Sequence, residues 1–143
     1  MLQFRMQIEH TTGNRRFALI IFLIGAIGSG AELLLLGHTE SIWQLIPVFL
    51  IVASLVALCL CARWPTRKVL RAFQGTMMLF IVSGLVGVLL HYRSNTEFVL
   101  EVYPAIEGME LFWASLTGAM PALAPGTMIC LGLMGLFYTY QHT

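Results

Sequence analysis

Charged residues are scarce in this 143-residue chain, and aspartate is absent altogether. Charged types make up 10% of the residues, whereas apolar types make up 58%. Because soluble domains carry about 25% charged residues, so few charges cannot cover a surface that faces water. The composition therefore predicts an integral membrane protein. The net charge of +1, with the basic residues beside apolar segments, argues against a nucleic-acid partner.

Cysteine is also rare, and the three cysteines (Cys59, Cys61 and Cys130) fall inside apolar segments or at their ends. Cys59 and Cys61 are two residues apart and would point to different sides of a helix. We interpret them as small hydrophobic residues rather than as a disulfide or a metal site. The sequence contains no nucleophile elbow, phosphate loop or zinc ribbon, and no segment long enough for a separate catalytic domain. We therefore expect a protein that is not an enzyme.

Long apolar runs are abundant, and four of them reach the roughly 20 residues that a helix needs to cross a bilayer. They predict transmembrane helices over residues 17–37, 42–62, 72–92 and 121–140. The fourth run carries Pro121 and Pro125, which we place in the first turns of its helix. A spanning segment must satisfy its own backbone in lipid, so helices are expected. The predicted fold is one all-α domain over residues 1–143, a four-helix antiparallel bundle.

Lysine and arginine fall almost entirely on one side of the predicted spans. Of the 8 such residues, only Arg93 lies on the other side. Because cytoplasmic loops are enriched in Lys and Arg, both termini and the loop around residues 63–71 are predicted to be cytoplasmic. The long loop over residues 93–120 is then on the outer face. This pattern predicts a multi-pass protein of the cytoplasmic membrane.

The predicted outer loop contains its own helical pattern. Met109, Phe112, Trp113 and Leu116 recur at i, i+3, i+4 and i+7, which is typical of an amphipathic helix. We expect a short helix that lies at the outer membrane interface. It either caps the bundle or forms a surface that docks a partner or covers a ligand.

Histidine is the residue type from which a cofactor hypothesis can start. His38 and His91 end the predicted first and third spans, both at the outer boundary. Two histidines on facing helices can hold a haem, and histidines with nearby carboxylates can hold a divalent metal. No HExxH or HxxxH spacing is present, so we favour the interpretation that both are interfacial anchors.

Glu32 is the only acidic residue inside a predicted span. Such residues usually face the bundle and pair with another group. Gly25, Gly28 and Ser29 precede it at helical spacing, which predicts that Glu32 lies on a packing face. Arg93 and His91, at the outer end of the third span, are the expected partners. A proton-handling or ligand-handling role for Glu32 is the alternative.

Three functions fit these features. The favoured one is a non-catalytic accessory or structural subunit of a larger membrane complex, in contact with lipid and with other subunits or copies of itself. It would need no cofactor. The second is a redox bundle that binds haem or a metal through His38 and His91. The third is a small transporter or ion conductor centred on Glu32.

Overall fold

A computed structural model describes the backbone of residues 2–37 and 39–140, and the side chains of residues 13–37 and 39–140. In these residues all of the regular secondary structure is helical, which confirms the predicted all-α class. Three helical segments are long and apolar enough to cross a membrane, namely Gly13–Leu35, Ile42–Arg63 and Arg67–Val102. The five helices are α1 (Leu2–Leu35), α2 (Ile42–Arg63), α3 (Arg67–Val102), α4 (Gly108–Leu116) and α5 (Gly126–Thr139).

Helix α2 follows its prediction closely because both of its ends carry local signals. Ser41 is the N-cap, and its side-chain oxygen accepts a hydrogen bond from the N–H of Gln44 at 3.4 Å. The Oε1 atom of Gln44 in turn accepts a hydrogen bond from the Ser41 N–H at 3.1 Å, which completes a capping box. The helix ends before Pro65, as expected from the restriction that proline places on the preceding residue.

Helix α3 is much longer than the predicted span over residues 72–92. Its 36 residues extend about 54 Å at 1.5 Å per residue, against a hydrocarbon core of about 30 Å. The first ten residues of the predicted outer loop, 93–102, are therefore helical. Their charged residues are good helix formers, and the Arg93–Glu97 ion pair at 2.8 Å joins adjacent turns. The helix stops at Val102, shortly before Pro104.

Helix α5 is shorter than the predicted span over residues 121–140. It begins at Gly126, after Pro125 as N-cap, and has 14 residues. Residues 117–125, which we call the connecting segment, form turns instead of the helix start that we predicted there. Two prolines in this segment remove backbone N–H donors that a regular helix would use. Successive turn bonds replace them, including Gly126 N–H to Leu123 O at 2.9 Å.

The core lies where α1, α2, α3 and α5 meet. Helix α3 packs against α2, α4 and α5, while α1 packs against α5 and α2. Phe22 of α1 contacts Phe73 and Phe80 of α3, with ring centroids 6.0 and 6.5 Å apart. The buried residues of this core are Phe22, Ala26, Ile51, Leu58, Phe73, Met77, Phe80, Met128 and Leu131.

Glycines allow α3 and α5 to approach each other closely. A Cβ atom added at Gly84 would lie 2.6 Å from the Ile129 side chain and 2.9 Å from the Pro125 carbonyl oxygen. One added at Gly132 would lie 2.7 Å from the Met77 carbonyl oxygen. These glycines therefore serve helix packing within the chain, as small residues do in membrane helices.

Candidate functional site at the C-terminal end of helix α3

One face of α3 contacts two different kinds of neighbour. Along its first half this face is apolar and packs against α5. Beyond Gly84 it carries the polar residues His91 and Asn95 as well as Val99, and it meets the connecting segment and α4 instead. The residues that occupy this face at helical spacing are Phe73, Met77, Phe80, Gly84, His91, Asn95 and Val99.

Asn95 links α3 to the end of α4 and to the connecting segment. It is 2% exposed, and its Nδ2 donates to the carbonyl oxygens of Ser115 at 2.9 Å and Met120 at 2.6 Å. Its Oδ1 accepts a hydrogen bond from the Met120 N–H at 3.1 Å. Because a backbone N–H can only donate, this last bond fixes the orientation of the amide. We call Asn95, Ser115 and Met120 the Asn95 clamp.

Small residues allow the backbone to approach Asn95. A Cβ atom on Gly118 would lie 2.6 Å from Asn95 Cγ, so only glycine leaves room for the amide. Ser115 is fully buried, and its hydroxyl donates to the Leu111 carbonyl oxygen at 2.8 Å inside α4. In the part of the chain whose side chains are described, every buried polar side-chain atom has a partner. The clamp is therefore fully hydrogen-bonded, the condition under which a buried polar network is stabilising.

His91 lies one turn before Asn95 and contacts the same segment. Its Nδ1 is 3.2 Å from the carbonyl oxygen of Pro121. His38, the other histidine of the cofactor hypothesis, lies outside the described residues. Within the described residues, no group of three or more His, Cys, Asp or Glu side chains is arranged to hold a metal.

Glu32 does not form the pairing that the sequence predicted. Its side chain is exposed, and Arg93 forms an ion pair with Glu97 at 2.8 Å instead. His91 likewise contacts Pro121 rather than Glu32. Arg93 has a carboxylate one helical turn away, and such i, i+4 pairs form with little rearrangement of the side chains. Among the described residues, no hydrogen bond or ion pair of the Glu32 side chain is found.

Helix α4 lies where the sequence predicted a short helix, and most of its large apolar residues face outward. Met109 is 70% exposed, Phe112 43% and Trp113 56%. Ser115 is the buried residue of this helix, and Leu116 is half-buried. We call Met109, Phe112 and Trp113 the α4 apolar face. The clamp attaches the Ser115 side of α4 to α3, and the Phe112 ring also contacts Tyr92 of α3, with ring centroids 6.0 Å apart. Met109 and Trp113 are the most exposed residues of the α4 apolar face.

Sequence reasoning missed Asn95 and Ser115 as site residues. Asn95 lies four residues after His91 and eleven after Gly84, which continues the packing face of α3 into the predicted loop. A small polar residue on a packing face is a usable signal for an interhelical hydrogen bond. It was missed because we expected the helix to end at residue 92.

No family model, curated protein or solved structure matches this chain. Its function has to be inferred from the contacts, exposure and charges of its own residues.

Proposed function

We propose that this protein is a non-catalytic accessory subunit of a larger membrane complex, and that it docks its partner through the α4 apolar face. The observation that carries the proposal is the two-sided character of α4. One side is fixed to α3 by the Asn95 clamp and by the contact of the Phe112 ring with Tyr92, whereas Met109 and Trp113 are exposed to the surroundings and Phe112 remains 43% exposed. Aromatic side chains on a rigid element are typical of binding hot spots.

The proposed architecture is a four-helix antiparallel bundle in the cytoplasmic membrane, with both termini cytoplasmic. Helix α5 alone extends about 21 Å at 1.5 Å per residue, so the fourth crossing requires the connecting segment as well. Non-helical backbone at membrane depth needs partners within the protein. The bonds from Asn95 to Met120 and the contact of His91 with Pro121 supply them, which supports this arrangement.

In this architecture α4 is an interfacial helix at the outer surface. The exposed Trp113 suits the boundary between lipid and water, where tryptophan is enriched. Glu107 and Glu110 are exposed as well and would form a polar rim around the apolar face. A rim of this kind around an apolar centre is the usual anatomy of a protein interface.

A photocrosslinking amino acid tests the docking role in native membranes. Placed at Trp113, it should give one crosslinked protein product of fixed mass, whereas the same group at Glu110 should give little. Trp113→Glu should also reduce recovery of that product from a crosslinker at Met109, while Glu110→Gln should not. Crosslinks from Trp113 to lipid alone would contradict docking and would leave α4 as a membrane anchor.

The orientation has a separate test. Cysteine labelling from outside should reach a probe at Ser94 and should miss one at Thr66, both of which are exposed positions on α3 or at its start. Asn95 is unsuitable for labelling because it is buried. The reverse labelling pattern would contradict the proposed topology.

The redox hypothesis for His38 and His91, and the transport hypothesis for Glu32, remain predictions. For the accessory subunit proposed here, we expect the purified protein to be colourless and to contain no bound metal. A Soret band, or one equivalent of metal that is lost in His91→Ala, would replace this proposal with the redox function.

A further inference from the structure

The turn between α2 and α3 concentrates positive charge at the end of the molecule opposite to α4. Four exposed cationic residues flank the short link over residues 64–66, one before it and three after it. We call this group the cationic turn; its members are Arg63, Arg67, Lys68 and Arg71. Because α2 ends at Arg63 and α3 begins at Arg67, the turn brings cations from two membrane-spanning candidates together.

No described carboxylate lies near these cations. The single ion pair among the described side chains joins Arg93 to Glu97, at the other end of α3. The acidic residues whose side chains are described are placed toward that same end of the helices, and they are Glu32, Glu40, Glu97, Glu101, Glu107 and Glu110. The four cations of the turn therefore have no carboxylate partner in the described part of the chain.

The surroundings of the turn suit a membrane surface. Trp64 is exposed, and the Arg63 guanidinium lies 5.5 Å from the centroid of its ring. Tryptophan is enriched at the lipid headgroup level, and arginine stacks on its face. The first turn of α3 contains no acidic residue, so the positive end of the helix dipole adds to the charge of the side chains.

We infer that the cationic turn binds the phosphates of anionic phospholipids in the leaflet that it faces. Both adjoining helices are candidate spans, so the turn lies at a bilayer surface whichever way the protein is oriented. Arginine suits phosphate because its planar guanidinium donates two parallel hydrogen bonds. Clusters of four or more basic residues next to a membrane helix are typical of anionic lipid binding. The inference does not depend on the role proposed for α4.

Lipid binding to the full-length protein in detergent tests the inference. Native mass spectrometry should show that the protein retains phosphatidylglycerol in preference to phosphatidylcholine. The triple variant Arg67→Gln/Lys68→Gln/Arg71→Gln should lose most of this preference, by about fivefold for each cation removed. Arg93→Gln, which removes a cation at the other end, should leave it unchanged. An unchanged preference in the triple variant would overturn the inference.

Two further measurements need no neutralised variant. Raising the salt concentration should weaken phosphatidylglycerol binding by the wild-type protein, because screening reduces attraction between exposed charges. Arg67→Lys/Arg71→Lys should keep the preference, since its charge is the same. Equal binding of phosphatidylglycerol and phosphatidylcholine would overturn the inference. Inorganic phosphate that displaces the lipid as effectively as phosphatidylglycerol does, at matched ionic strength, would also overturn the inference, because it would identify a soluble anion as the ligand.

Discussion

Along one face of α3, residues 73–84 pack against a regular helix, whereas residues 91–99 pack against the connecting segment and α4. A helix has already satisfied its own backbone, so apolar side chains and glycines are enough to hold it. In the connecting segment, the N–H and carbonyl groups of Met120 take no part in the turn hydrogen bonds. Backbone groups of that kind need partners where water is excluded, which explains why Asn95 follows Phe80 and Gly84 on the same face.

Substitutions in the apolar contact between residues 73–84 of α3 and helix α5 should reduce the free energy of unfolding the most. Gly132→Leu places side-chain atoms against the Met77 carbonyl oxygen, which belongs to a helix backbone and cannot rotate away. We expect a loss of about 1–3 kcal/mol or more in the free energy of unfolding, as for overpacked cores. Thermal unfolding in detergent measures it.

Gly28→Leu is the matched control for Gly132→Leu, because nothing lies within 4 Å of a Cβ atom at Gly28. It should leave the unfolding temperature nearly unchanged. Equal losses in the two variants would mean that α3 and α5 do not approach each other through Gly132.

Substitutions in the polar contact, where residues 91–99 of α3 meet the connecting segment and α4, should change local hydrogen exchange rather than global stability. Asn95→Ala leaves the Ser115 and Met120 carbonyls and the Met120 N–H without this partner. Unpaired buried groups cost about 1–3 kcal/mol, which should appear as faster hydrogen exchange at Met120. Thr96→Ala is the control, since the Thr96 hydroxyl donates to the Tyr92 carbonyl oxygen of its own helix. Unchanged exchange in Asn95→Ala would contradict the clamp.

His91 should contribute less than Asn95 to the same region. It offers one contact, from Nδ1 to the Pro121 carbonyl oxygen at 3.2 Å, and a single hydrogen bond is worth about 0.5–1.5 kcal/mol. His91→Ala should therefore accelerate hydrogen exchange at Ala122, which is buried, only modestly. An effect as large as that of Asn95→Ala would show that both residues hold the segment equally.

The smallest effect is expected outside the contact face. Glu97→Gln breaks the exposed ion pair with Arg93 but touches neither half of the comparison. Exposed pairs contribute little, so unfolding temperature and exchange at Met120 should not change measurably. A clear loss at Met120 would mean that the ion pair supports the clamp.

The helix positions could be predicted where local signals coincide with hydropathy. Ser41, Gln44 and Pro65 bracket α2, so its predicted range, 42–62, differs from the observed Ile42–Arg63 by one residue. Hydropathy could not give the end of α3, because it reports how well a segment suits lipid and not how far the helix continues beyond the apolar stretch. It also could not show that Pro121 and Pro125 shift the start of α5 to Gly126.

The candidate site was predictable only in its outline. The spacing of Met109, Phe112 and Trp113 gave a helix at the observed place, but a period cannot say whether its apolar side faces protein, lipid or a partner. Asn95 could have been predicted as a site residue only if α3 had been expected to continue past residue 92. Glu32 was assigned to Arg93 without knowing that Glu97 lies one turn away on the same helix.

The distance between α3 and α4 tests the central claim, that the Asn95 clamp holds α4 in a fixed position. Pulsed electron paramagnetic resonance can measure this distance between spin labels at the exposed positions Glu101 and Glu110. The labels are attached to a chain in which the native cysteines are replaced by alanine. We predict one narrow distance distribution in the parent chain and in Thr96→Ala, and a broad one in Asn95→Ala. A distribution that stays narrow and unshifted in Asn95→Ala would contradict the account.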